Sequence, residues 1–177
     1  MEFDPHCRRC DLSLGRMQVV GPDGDLGSPV CFVGEAPGEK EDLQGRPFVG
    51  RAGQMLDRLL KEEGLSRGRI MITNTVKCRP PGNRVPTAEE RLACLPFLEQ
   101  ELMGRRVVVA LGRTASSNLL KKTVKMEEEA NRPREVTVGN ATVTLIPAYH
   151  PAACLFNLKA RESLRETIRI VKGYLGS

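Results

Sequence analysis

The sequence lacks the features that mark several protein classes. No apolar run approaches the roughly 18 residues that cross a membrane, and the N-terminal residues lack the charged-then-apolar pattern of a secretory signal. It has no internal repeat, low-complexity tract or interdomain linker, so neither a solenoid nor a disordered arm is expected. Neither GxxxxGK[ST] nor GxGxxG occurs, so the glycine-rich stretch from Val33 to Gly53 is not a phosphate cradle. Glu35, Glu39, Glu41 and Asp42 within it would repel a phosphate. Aromatic residues are 4% of the chain, with five Phe, and there are two His. A Phe in a loop therefore stands out. The 177 residues suffice for one buried core, and a single domain over 1–177, cytoplasmic, monomeric and without membrane contact, is expected.

What is present reads as α/β. Val30–Gly34, Ile70–Thr75, Val107–Leu111 and Thr142–Ile146 are apolar or β-branched runs of strand length. Between them lie helical patterns. Ala52, Met55, Leu56, Leu59 and Leu60 mark the first, with Gly64 as a stop. Thr87 and Glu90 open the second at capping-box spacing, and it runs to about Met103. A third follows Gly112, and Leu164, Ile168, Val171 and Leu175 mark a fourth. The expected architecture is a three-layer α/β/α fold with a central four-stranded, mostly parallel sheet. Glu135–Val138, Gly139-Asn140 and Ala141–Leu145 read as a small hairpin appended to it.

Ligands of open α/β sheets bind outside the carboxyl ends of the strands. The segments leaving those ends are Gly34–Gly53, Asn74–Pro86, Gly112–Ser117 and Pro147–Asn157. Cys7 and Cys10 form a C-x-x-C pair, and Cys78 and Cys94 could complete a four-thiolate site. Zinc and a [4Fe–4S] cluster both use four cysteines, and spacing alone does not separate them. Cys31 reads as core. Lys plus Arg outnumber Asp plus Glu by 27 to 22, a weak pointer to a polyanionic partner.

Taken in order, these segments resemble the family 4 uracil-DNA glycosylases, the iron–sulfur branch of their superfamily. The resemblance covers nearly the whole chain. It rests on Gly34-Glu35-Ala36-Pro37-Gly38 with Glu41, Gly45-Arg46-Pro47-Phe48-Val49-Gly50, Asn74 through Pro81 with Asn83, Leu111-Gly112, and His150-Pro151-Ala152-Ala153, with the four cysteines at family-like intervals. The resemblance implies excision of uracil from single- or double-stranded DNA in base excision repair, in a prokaryotic, nucleoid-associated setting. It also implies one [4Fe–4S] cluster on Cys7, Cys10, Cys78 and Cys94. A sliding clamp as partner is not visible in the sequence. A uracil-DNA binding module without turnover and an iron–sulfur redox protein remain as alternatives at this point.

The family pattern implies a uracil pocket of Gly34, Ala36, Glu41, Phe48, Asn74 and His150. Phe48 would stack on the extruded base. The Asn74 amide is complementary to uracil O4 and N3–H, whereas cytosine offers the reverse pattern. Glu41 would stand near C5, where a thymine methyl is refused. His150 would stabilise the charge that develops on O2. Some branches carry an Asp where Ala36 stands here, so the attacking water falls to backbone, Glu35 or Glu41. A related branch traps its product through a histidine in the loop after the second strand. That loop has no His here, so covalent trapping is not expected. For DNA contact the expected residues are Arg79, Asn83, Arg84, Arg113 and Thr114, with Leu155 and Phe156 as wedges. The basic face of the last helix reads mainly as solvated, with Glu162 and Glu166 as partners.

Overall fold

The computed structural model describes residues 2–176. Its strands are β1 (Asp23–Gly24), β2 (Val30–Gly34), β3 (Met71–Asn74), β4 (Val107–Leu111), β5 (Arg134–Val138) and β6 (Ala141–Ala148). Its helices are α1 (Glu39–Gln44), α2 (Arg51–Glu62), α3 (Ala88–Leu102), α4 (Arg113–Leu120), α5 (Met126–Glu129) and α6 (Leu158–Lys172). The strands form one sheet in the order β1-β3-β2-β4-β6-β5. The central four are parallel, and the two edge strands run antiparallel to their neighbours.

The alternation of side chains along β2 builds the layers. Val30 and Phe32 face Leu56, Leu59 and Leu60 of α2 and Leu164, Ile168 and Val171 of α6. Cys31 and Val33 face Leu98 and Leu102 of α3 and Ala115 and Leu119 of α4. Every residue of β2 and β4 is buried, as expected of parallel strands covered on both faces. The three-layer architecture is therefore the one expected from the sequence.

Three details differ. The sheet has six strands in place of four, because two edge strands extend it. The expected hairpin is not an appendage, since its second arm is the last core strand. A two-residue turn at Gly139-Asn140 folds β5 straight back on β6, pairing Val138 with Ala141, while β6 pairs with β4 on its other side. The stretch after β2 is also not wholly a loop. Glu39, Glu41 and Asp42 fall in the first turn of α1, where the helix dipole favours them, and Gly45 at φ +74° ends that helix.

From β2 the chain crosses to β3 on one side, then returns past β2 to β4 on the other. The loops diverge at the carboxyl end of β2 and leave a crevice there. The basic face of α6 lies elsewhere and is neutralised: Arg165 bonds Glu62 at 2.5 Å, and Arg169 bonds Glu63 and Glu162 at 3.0 Å.

One charged pair is sealed inside the fold. Lys77 is 1% exposed and Glu101 9%. The Lys77 ammonium donates to Glu101 Oε1 at 2.7 Å, to Thr73 Oγ1 at 2.8 Å and to the carbonyl of Asn74. The Thr73 hydroxyl donates to Glu101 Oε1 at 2.7 Å, so each buried polar group has a partner. Removing one member of such a pair strands the other charge. Lys77→Met should lower unfolding free energy by about 3–5 kcal/mol, and Lys77→Met with Glu101→Met should recover most of that loss. Denaturant titrations check this; equal destabilisation of the single and double variants would contradict it.

Candidate functional site

The crevice holds one pocket, whose lining includes Glu35, Ala36, Glu41, Phe48, Asn74 and His150. Three loops from three strand ends supply these residues. Gly34 lies beneath them: a Cβ there would stand 2.4 Å from the Phe48 ring and 2.6 Å from Asn74 Oδ1. Only a residue without a side chain lets the aromatic ring and the amide lie against the strand end together.

Phe48 occupies the left-handed region at φ 53°, which a bulky L-residue adopts only when its surroundings enforce it. Arg67 is the enforcer. Its guanidinium donates to the Phe48 carbonyl at 2.7 Å and to that of Pro47, and it pairs with Asp23 and Asp57 at 3.3 and 3.1 Å. Gly53 completes the restraint, since a Cβ there would lie 1.8 Å from the Phe48 oxygen. The Phe48 ring lies 5.9 Å, centroid to centroid, from that of His150.

Asn74 ends β3 and is 2% exposed. The Lys77 ammonium caps its carbonyl, which fixes the peptide from which the amide projects. Across the pocket, Gly112 at φ +94° packs against His150, where a Cβ would stand 3.0 Å from the imidazole's own Cβ. The Ala152 amide donates to His150 Nδ1 at 3.0 Å. That bond requires an unprotonated Nδ1, so the neutral ring carries its proton on Nε2. Burial also pushes the His150 pKa below the ordinary value. The ring is thus a neutral donor.

The two acids differ sharply. The Glu41 carboxylate accepts from the amides of Gly38 at 3.0 Å, Val49 at 2.8 Å and Gly50 at 2.7 Å. It ties both arms of the long loop together. Glu35 keeps a less committed carboxyl: burial raises its pKa, opposed by a hydrogen bond from Thr114 and the charge of Arg91. Its carbonyl accepts from Thr75 Oγ1 at 2.6 Å.

Beside the pocket, Cys7, Cys10, Cys78 and Cys94 line one small cavity. All six cysteines are free thiols. Burial pushes the Cys78 thiol up to about 12 and raises Cys10 and Cys94 as well. The Lys77 amide donates to Cys94 Sγ at 3.4 Å. No group of three or more His, Cys, Asp or Glu side chains is arranged around a single metal ion among the described residues. Ala36 of the pocket loop packs against the core that holds Cys78 and Cys94.

Sequence comparison places these features among known proteins. The pattern described as the uracil DNA glycosylase superfamily matches residues 22–172. The chain belongs to that superfamily. It is 43% identical to the type-4 uracil-DNA glycosylase of Saccharolobus solfataricus, over 97% of this chain and 82% of that protein. It is 42% identical to the type-4 uracil-DNA glycosylase of Thermotoga maritima, over 96% of this chain and 89% of that protein. A type-5 uracil-DNA glycosylase of Pyrobaculum aerophilum is 36% identical over 85% of this chain and 74% of its own length.

Of the residues expected to contact DNA, Asn83 and Arg84 line the pocket and the others lie outside its lining. Arg79 donates to Asn83 Oδ1 at 2.7 Å. Arg84 is held by a two-pronged ion pair to Glu90 at 2.7 and 2.9 Å. Glu90 also closes the capping box with Thr87. Arg113 is exposed at the start of α4, beside Thr114. Leu155 and Phe156 part company: Leu155 packs against the core, and Phe156 is 86% exposed. Among the described residues no helix is long and apolar enough to cross a membrane.

Sequence reasoning missed Lys77, Glu101 and Arg67. Charged residues make up 28% of the chain, and nothing local shows which of them are buried.

The tautomer of His150 is directly measurable. Long-range 1H–15N correlation spectra at neutral pH should show Nε2 protonated and Nδ1 bare, with the imidazolium appearing only below the ordinary histidine pKa. Since the folded pKa is depressed, the neutral ring stabilises the fold above the unfolded value and that contribution fades on acidification. A proton on Nδ1 at neutral pH would contradict the arrangement.

Proposed function

We propose that this protein is a monofunctional uracil-DNA glycosylase of base excision repair, acting as a monomer on single- or double-stranded DNA in a prokaryotic cytoplasm, at the nucleoid. The observation that carries the reading is the meeting of Phe48, Asn74 and His150 in one pocket at the carboxyl end of β2.

The base leaves the stack and enters the crevice. Phe48 supplies a flat face for the ring. The Asn74 NH2 donates to O4 and its oxygen accepts from N3–H. As the C1′–N1 bond breaks, electrons flow into the base and charge gathers on O2, where His150 Nε2–H donates. The sugar takes on oxocarbenium character. Water attacks C1′ and gives up a proton, which neutralises the departed uracil anion, leaving an abasic site and free uracil. Glu35 is the group we assign to that water, because Glu41 spends its carboxylate on three amides. Glu41 is a positioning residue that shapes the wall near C5. No lysine lines the pocket among the described residues, in keeping with hydrolysis and no enzyme-bound intermediate. Exposed Phe156 is the wedge we assign to the gap left by the base.

Cys7, Cys10, Cys78 and Cys94 would hold one [4Fe–4S] cluster. The fit rests on the donor set: four free thiols around a void, with Arg9 and Arg16 on its wall and a backbone N–H already aimed at Cys94 Sγ. Four donors spread about a cavity suit a cluster of several atoms better than one ion. When bound, it would cross-link the N-terminal segment, the Arg79–Arg84 loop and α3. The uracil chemistry runs through none of it.

Single-turnover excision on matched uracil and cytosine oligonucleotides tests the assignment. The parent should release free uracil and leave alkali-labile sites. His150→Ala should be roughly 10²–10³-fold slower. Asn74→Asp replaces the donor toward O4 with an acceptor, so uracil excision should fall and some cytosine excision appear. A parent inert on uracil, or Asn74→Asp with unchanged rate and preference, would overturn the reading.

A further inference from the structure

We infer that the groove along α4 carries the sugar–phosphate backbone of DNA away from the flipped nucleotide, an inference that rests on the uracil-excision reading. Four cations, Arg91, Arg113, Lys121 and Lys122, line this groove, and no acid does. The contrast with α6 is informative. There, Arg165 and Arg169 are matched by Glu62, Glu63 and Glu162. Along α4 the side chains of Arg113 and Lys121 have neither an ion pair nor a hydrogen bond among the described residues. Arg91 donates to the Pro86 carbonyl at 2.9 Å, and its charge also acts on Glu35. Lys122 pairs with Glu129 at 3.0 Å yet remains 43% exposed.

Arg113 sits where a helix does not favour a cation, and Lys121 holds a backbone conformation that lysine rarely adopts. Arg113 is the first residue of α4, and no acid stands in that turn. A cation there opposes the helix dipole unless an anion joins it, and the free amides of a helix start favour a phosphate. Lys121 caps the other end in the left-handed region at φ 59°, where glycine or asparagine is the usual occupant. Asn118, between them on the groove wall, has an Nδ2 buried without a partner.

The groove also begins in the right place. Arg91 and Thr114 both act on Glu35 of the pocket, so a strand leaving the pocket meets Arg113 at once. Eight residues separate Arg113 from Lys121, about 12 Å along the helix.

The test is Lys121→Asn with Lys122→Gln, which removes both charges while asparagine keeps the left-handed cap. Binding of long uracil-containing oligonucleotides, single-stranded and duplex, is followed by anisotropy across a salt series. Excision from a trinucleotide that cannot reach Lys121 is measured in parallel. Affinity for long DNA should weaken roughly tenfold, and the slope of log K against log salt should shrink by about 0.7 per lost contact on single strands or 0.9 on duplex. A change confined to one arm identifies the form of DNA the groove carries. Trinucleotide excision should match the parent. Asn118→Asp, which sets a carboxylate in the same groove, should weaken long-DNA binding in the same direction. Parental affinity and slope in both arms, with excision intact, would overturn the groove and leave the uracil reading standing. A parent that binds DNA through these lysines but excises nothing would instead overturn the uracil reading.

Discussion

The Lys77 ammonium, buried between β3 and α3, joins the two halves of the site. Its three hydrogen bonds reach Glu101, Thr73 and the carbonyl of Asn74. Its own amide reaches Cys94 Sγ, and its carbonyl accepts from Val20 at 2.7 Å. One residue therefore ties the end of a strand, the middle of a helix, the N-terminal segment and the cysteine cavity to Asn74. An ammonium buried this deeply is tolerable only because every donor has an acceptor. That requirement fixes the geometry, since three acceptors around one nitrogen leave it no freedom. The pocket inherits its rigidity from this arrangement.

A second constraint acts on the opposite wall. Phe48 is useful because its ring stands over Gly34, and it stands there because its backbone is held in a conformation it would not choose. Arg67, Gly53 and the carboxylate of Glu41 share the work of holding it. The site is thus preorganised: a ring, an amide and an imidazole are aligned before any base arrives, so binding need not order them. The same logic assigns the acids. A carboxylate with three amide donors shapes a loop, while one half-buried beside a threonine hydroxyl remains available to water.

Much of this was legible in the sequence. The core strands β2 and β4 stand out because strands covered on both faces are unbroken apolar runs, and α2 stands out from its i, i+3, i+4 spacing. Thr87 and Glu90 announced the start of α3 through a local hydrogen-bond rule. Convergence of strand ends pointed only to the four segments that leave them; the individual pocket residues were legible through the family resemblance. The role of Glu41 was not, because two of the three amides that claim its carboxylate lie eight and nine residues farther along the chain. The short helix α1 was hidden by glycines and prolines that suggest a loop. The pairing of Arg84 with Glu90, the burial of Lys77 and the separation of Leu155 from Phe156 depend on tertiary packing, which has no period in the sequence.

The central claim is that this pocket holds uracil by shape and hydrogen bonding before any bond breaks. A crystal structure with free uracil tests it most directly. The account expects the ring flat against Phe48, the Asn74 amide on O4 and N3–H, and His150 Nε2 on O2. Uracil lodged elsewhere, or bound in the pocket with Asn74 and His150 touching neither edge, would contradict it.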